Sequence, residues 1–114
     1  MNPSESKFLY LITTGRKTGV PREIEIWFVE HQGQYYILAE HFRRAQWVRN
    51  IERDPRVRVR LDGQEREATA RVLDPERDRE RWQRAQELAR EKYGWGEGLP
   101  VEITPGRDES ALQM

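Results

Sequence analysis

The chain has 114 residues, of which 36% are hydrophobic and 35% charged, so it makes one domain with a thin core. Its 20 Lys and Arg balance 20 Asp and Glu, and no global field draws it to nucleic acid or to a membrane surface. The absence of cysteine excludes a disulfide framework and any cysteine nucleophile or metal ligand.

Residues 1–6 read as a loose arm. The polar start, Met1 to Lys7, and the short apolar run after it fit neither a signal peptide nor a membrane span, and a cytoplasmic protein is the default expectation. Phe8 to Thr13 reads as a short, largely buried strand, followed by a Gly15–Pro21 loop. Arg22 to Glu30 alternates as one strand, with Ile24, Ile26 and Phe28 on one face and Glu23, Glu25 and Trp27 on the other. Its later part, Ile26 to Val29, is apolar on both faces, and so is Tyr35 to Ala39 beyond the hairpin turn His31-Gln32-Gly33-Gln34. Two such strands need cover on both sides. A barrel interior supplies one side, and a helix, a flat cofactor or a partner subunit the other.

Glu40 to Arg44 is a connection, and Ala45 to Glu52 reads as a short helix that Asp54-Pro55 ends. Arg56 to Leu61 alternates cleanly, with Val57, Val59 and Leu61 inward. Asp62-Gly63 is a strong hairpin signal, and Gln64 to Leu73 returns as a weakly patterned strand. Asp74 as N-cap and Pro75 as first residue open a long helix running to about Tyr93. Trp82, Ala85, Leu88 and Ala89 form its apolar stripe, and Gly94 stops it. Trp95 to Gly98 is a loop, Leu99 to Thr104 a last strand, and residues 105–114 a loose tail. The pattern by itself gives an α+β domain whose meander can curl into a barrel.

The stretch from Thr13 to Arg22 gathers two glycines, one proline, three threonine hydroxyls and the cations of Arg16, Lys17 and Arg22. Such a loop can bind an anion, but composition alone equally describes a solvated turn and favours it. It is not a Walker A loop, because Arg16 rather than glycine precedes Lys17 and a strand rather than a helix follows. His31 and His41 lie ten apart without helical spacing, which argues against a metal site. Ser4, Ser6 and Ser110 all fall in the loose ends, which argues against a hydrolytic triad. An arginine row from Arg43 to Arg60 raises a nucleic-acid reading, but acidic residues interleave and no base-stacking motif accompanies it.

Leu11-Ile12-Thr13-Thr14-Gly15-Arg16-Lys17-Thr18-Gly19-Val20-Pro21-Arg22 resembles the signature of the deazaflavin-dependent nitroreductase family. Trp47-Val48-Arg49-Asn50-Ile51 followed by Asp54-Pro55-Arg56-Val57 is similar to that family's W-x-x-N-L…N-P-x-V segment, and Leu99-Pro100-Val101-Glu102-Ile103 to its last strand. The resemblance implies a split β-barrel of about six mainly antiparallel strands with one short and one long helix, in a single domain. It implies coenzyme F420 as cofactor, with FMN as the alternative, and hydride transfer to a small electron-poor acceptor such as a quinone, an enone or a nitroaromatic. Arg16, Lys17 and Arg22, in a loop with Gly15 and Thr18, would anchor the cofactor phosphate and its acidic tail. Trp47 and Asn50 would line its groove, and the strand end from Tyr36 to His41 would border the tricycle. Tyr93 and Trp95 sit where the family closes its substrate pocket. The residues themselves also allow Trp47 as a core anchor and Asn50 as a helix-end cap. The link Glu40-His41-Phe42-Arg43-Arg44-Ala45-Gln46 departs from the family in being shorter and without glycine. No side chain is assigned as proton donor. A homodimer is expected, and a non-enzymatic carrier of a flavin, deazaflavin or haem-like ligand is the other class.

Overall fold

In the computed structural model, which describes residues 7–106, the alternating segments close into a seven-stranded antiparallel sheet. The strands are β1 (Phe8–Thr14), β2 (Pro21–Trp27), β3 (Val29–His31), β4 (Gln34–Ala39), β5 (Arg56–Leu61), β6 (Gln64–Val72) and β7 (Leu99–Pro105). A 3₁₀ turn, Phe42–Arg44, leads into α1 (Gln46–Arg53), and α2 (Arg79–Tyr93) joins β6 to β7. The sheet order is β2-β1-β5-β6-β7-β4-β3.

The sequence predicts one strand over Arg22–Glu30, and the structure breaks it at Phe28. Inward alternation survives the break, since Phe28 is 1% exposed. What changes is the partner: β2 pairs with β1 and β3 pairs with β4, which are at opposite ends of the strand order. One residue therefore carries the chain from one edge of the sheet to the other and rolls it into the split barrel that the family resemblance implies. The seventh strand is the second half of the broken one. Leu9, Leu11, Ile37, Val59, Val101 and Ile103 fill the interior. Val48 and Ile51 of α1 close it, three apart on one helical face. Each such side chain stabilises the fold by about 1.5–3 kcal/mol through burial.

The outer face of β4 meets a helix, one of the three alternative covers its sequence allows. Tyr36 and Leu38 pack with Val29, Leu73, Ala85 and Ala89 under α2. A polar row fixes that helix. Glu102 on β7 is 4% exposed, accepts the Tyr36 O–H at 3.0 Å, and pairs with Arg71 at 3.3 Å and Arg81 of α2 at 3.1 Å. Burial and the Glu102 carboxylate push the Tyr36 phenol up to about 12, because both favour the neutral hydroxyl.

The long helix starts later than predicted. Asp74 accepts the N–H groups of Glu76 and Arg77 at 2.8 and 3.0 Å, as an N-cap does. Asp78 then gives its carboxylate to the Asp74 N–H and to Arg71 on β6, each at 2.9 Å, and the helix proper begins at the next residue. The predicted loose ends lie mostly outside the described residues. Pro105 and Gly106 are described, Pro105 ending β7 and Gly106 donating its N–H to the Glu67 carbonyl at 2.7 Å. No helix among the described residues is long and apolar enough to cross a membrane.

Candidate functional site

The Gly15–Arg22 loop folds onto itself. The Gly15 N–H reaches the Val20 carbonyl at 2.9 Å, the Gly19 N–H reaches the Gly15 carbonyl at 2.7 Å, and the Thr18 hydroxyl accepts the Val20 N–H at 3.2 Å. Position 15 leaves little room for a side chain, since a Cβ there would stand 2.9 Å from Thr18 Oγ1 and 3.0 Å from the Val20 carbonyl oxygen.

Asn50 of α1 clamps this loop from below. It is 4% exposed. Its Oδ1 accepts the Arg16 backbone N–H at 3.2 Å and an Arg16 guanidinium N–H at 3.0 Å, while its Nδ2 donates to Thr13 Oγ1 at 3.1 Å. Gln46, one turn earlier, accepts the other Arg16 nitrogen at 2.7 Å. A guanidinium has five N–H groups, so Arg16 keeps donors for a ligand although it is tied down. Lys17 and Arg22 are exposed, and no side-chain partner engages either cation among the described residues.

On its other side α1 borders an open cleft of about 660 Å³, a size ordinary for a cofactor or small-ligand site. Trp47 and His41 form its wall at the α1 end, Tyr36 and Leu38 its floor on β4. The far wall is Phe8, Trp27 and Phe28, with Tyr93 and Trp95 from the end of α2. Trp27 stacks on Tyr93 with centroids 4.4 Å apart and planes 2° from parallel, yet remains 46% exposed. The link that lacks the family's glycine places Phe42 at φ 52°, a conformation that costs a bulky residue about 1–3 kcal/mol.

The barrel seam lies in this wall. Phe28 has no strand partner there, and α2 satisfies its backbone instead. The Tyr93 hydroxyl accepts the Phe28 N–H at 3.1 Å and has two carbonyls within donating reach, Phe28 at 2.8 Å and Lys7 at 2.5 Å. The Lys92 ammonium donates to the Phe28 carbonyl at 3.0 Å and sits 4.0 Å from the centroid of its ring. Burial raises the Tyr93 phenol and, against the pull of Glu30, lowers the Lys92 ammonium.

Of the residues singled out from sequence, His41 and Trp47 line the cleft, and Gly15, Arg16, Lys17, Thr18 and Arg22 form the adjoining loop. Asn50 lies beneath the loop as its clamp rather than as a helix-end cap. Tyr93 and Trp95 line the cleft as well. Sequence reasoning missed Phe8 and Trp27, which oppose each other in the β1–β2 register. The signal for Trp27 was the outward phase of the alternation, where it follows Glu23 and Glu25. His31 sits in the β3–β4 hairpin, away from this cleft.

A split barrel with an aromatic cleft beside a cationic glycine loop defines the flavin- and deazaflavin-binding class of this fold. Within that class, residues 3–103 match the F420H(2)-dependent quinone reductase family model, and the chain belongs to that family of oxidoreductases. Among solved structures it is similar to an F420-H2-dependent reductase, FDR-A, with 28% identity, coverage of 85% of this chain and 92% of that one, and a TM-score of 0.66. The haem storage protein HutZ from Vibrio cholerae shares the fold at 23% identity and TM-score 0.75, covering 93% of this chain and 86% of that one. A chain solved as a domain-swapped dimer matches at 27% identity and TM-score 0.61, with 85% and 78% covered.

Proposed function

We propose that this protein binds reduced coenzyme F420 across α1 and uses it to reduce a small electron-poor acceptor, of the quinone, enone or nitroaromatic kind, held in the aromatic cleft. One observation carries the reading: α1 joins the two halves such a cofactor needs. Trp47 faces the apolar cleft, while Gln46 and Asn50 of the same helix hold the cationic loop. Along β2, Arg22 at the loop and Ile26 in the cleft are about 13 Å apart at roughly 3.3 Å per residue. That distance suits a tricycle at one end and a phosphate at the other. The residues therefore fit the group.

In this reading Lys17, Arg22 and the free donors of Arg16 hold the phosphate and acidic tail. Trp47 and His41 flank the ring system. Phe8, Trp27, Tyr93 and Trp95 enclose the acceptor and exclude water. The bound deazaflavin supplies the hydride. Fluorescence titration of the purified protein tests this: F420 is expected to bind more tightly than FMN. Tighter FMN binding moves the reading to the flavin member of the fold, and binding of neither overturns the enzymatic reading.

The same face supports a homodimer. Phe8, Tyr10 and Trp27 stay exposed on the outside of β1 and β2, adjacent aromatic surface that a second copy would cover. Sedimentation at micromolar concentration is expected to show a dimer, and a monomer alone would overturn this part.

A further inference from the structure

The cleft carries an electrostatic bias that the anionic cofactor does not use. Its lining includes no lysine or arginine, whereas Glu25 on β2 and Glu40 at the end of β4 both stand in it. Neither carboxylate has an ion-pair or hydrogen-bond partner among the described residues. The contrast along one strand face is sharp: Glu23, two residues before Glu25, is paired with Arg60 at 2.8 Å.

Aromatic faces attract cations through the ring quadrupole. The cleft wall shows this already, because the Lys92 ammonium rests over the Phe28 ring while bonded to the Phe28 carbonyl, outside the cleft lining. We propose that the cleft binds a hydrophobic organic cation, an N-alkylated heteroaromatic or aryl ammonium, with its ring against Trp27 and its charge toward Glu25 and Glu40. The aromatic wall supplies burial and the quadrupole. The two unpaired carboxylates supply the charge selection, and they repel an anion of the same shape. Lys92 opposes the cation from behind the wall, held there by its bond to Phe28. Under the reductase reading this selects a positively charged acceptor over a negatively charged one. That extension rests on the reading; cation binding does not.

Calorimetric titration at mildly alkaline pH tests it with three two-ring probes: N-methylquinolinium, neutral quinoline and naphthalene-2-sulfonate. The cation is expected to bind about tenfold more tightly than quinoline, and the sulfonate more weakly than either. Glu25→Gln/Glu40→Gln should bring the cation to within about threefold of quinoline. Glu65→Gln/Glu76→Gln, which removes the same charge outside the cleft, should leave the ratio intact. Trp27→Ala should weaken cation and quinoline together. Equal binding of all three probes, absence of cation binding, a preference that survives Glu25→Gln/Glu40→Gln or is lost equally in the control pair, or indifference to Trp27→Ala would each overturn the proposal. F420 titration of the same samples separates the two readings. Cation selection without F420 binding sinks the reductase reading alone, and F420 binding without cation selection sinks this proposal alone.

Discussion

The Gly15–Arg22 loop is contiguous in sequence, polar, and closed by hydrogen bonds of 2.7 to 3.2 Å to itself and to Asn50. The cleft beside it takes side chains from β1, β2, β3, β4, α1 and α2 and is held by packing and by the seam at Phe28. A residue in the loop can be exchanged at little cost to the fold unless it is one of the few that close the turn. In the cleft wall, binding surface and barrel closure are the same atoms. Function and stability are separable in the first region and fused in the second.

The hardest strike on that contrast is at Tyr93. Tyr93→Ala removes the stack on Trp27 and the hydroxyl that serves Phe28, and is expected to cost about 3–5 kcal/mol in urea unfolding. Tyr93→Phe, which keeps the ring, should cost about 1–3 kcal/mol by leaving the Phe28 N–H without its acceptor. Native-like stability of both variants would break the comparison.

The loop should behave in the opposite way. Lys17→Ala is expected to weaken F420 binding by about 1.5–3 kcal/mol, roughly one to two orders of magnitude, with stability unchanged within about 0.5 kcal/mol. Arg16→Ala sharpens the point. It should lose comparable affinity and also about 1 kcal/mol of stability, since buried Asn50 Oδ1 loses both its guanidinium partner and its cover. Arg58→Ala, on a strand face with Glu65 as its ion-pair partner, is the control. If it weakens F420 binding as much as Lys17→Ala does, the loop is not the anchor.

A further effect appears only at high pH. The folded protein holds the Tyr36 proton up to about 12 against an ordinary value of 10.0, so it binds more protons than the unfolded chain between those values. The stabilisation is complete below the unfolded value and is lost as pH rises toward the folded one. Unfolding midpoints are expected to fall across that window in the native protein, and Tyr36→Phe should remove that part of the slope. An equal slope in the variant would assign the alkaline loss to other groups.

Local signals carried the fold wherever the determining contacts are local. Arg56–Leu61 is bounded as its alternation predicts, and Asp62 and Gly63 both take positive φ, 51° and 81°, as the hairpin signal requires. The break at Phe28 was not legible, because Ile24, Ile26 and Phe28 keep one phase through it and only the pairing partner changes. The start of α2 was hidden for a similar reason: Asp74 caps as its type predicts, but Arg71 on a separate strand claims Asp78. At the site, the loop was legible as a motif, and Trp47 and Asn50 were reached through family resemblance, since pattern alone made them a core anchor and a helix cap. Trp27 and Phe8 acquire a role only when β1 and β2 are aligned and α2 brings Tyr93 against Trp27.

The Phe28 amide has a further use. In an ordinary strand, the exchange of an amide hydrogen with solvent deuterium reports the opening of the sheet. This one is shielded by a side chain of α2, so its exchange follows the lifting of the helix and not the parting of strands. A single backbone position thus serves as a native, label-free gauge of helix docking, and any ligand that presses the Trp27–Tyr93 wall shut should register there as slowed exchange.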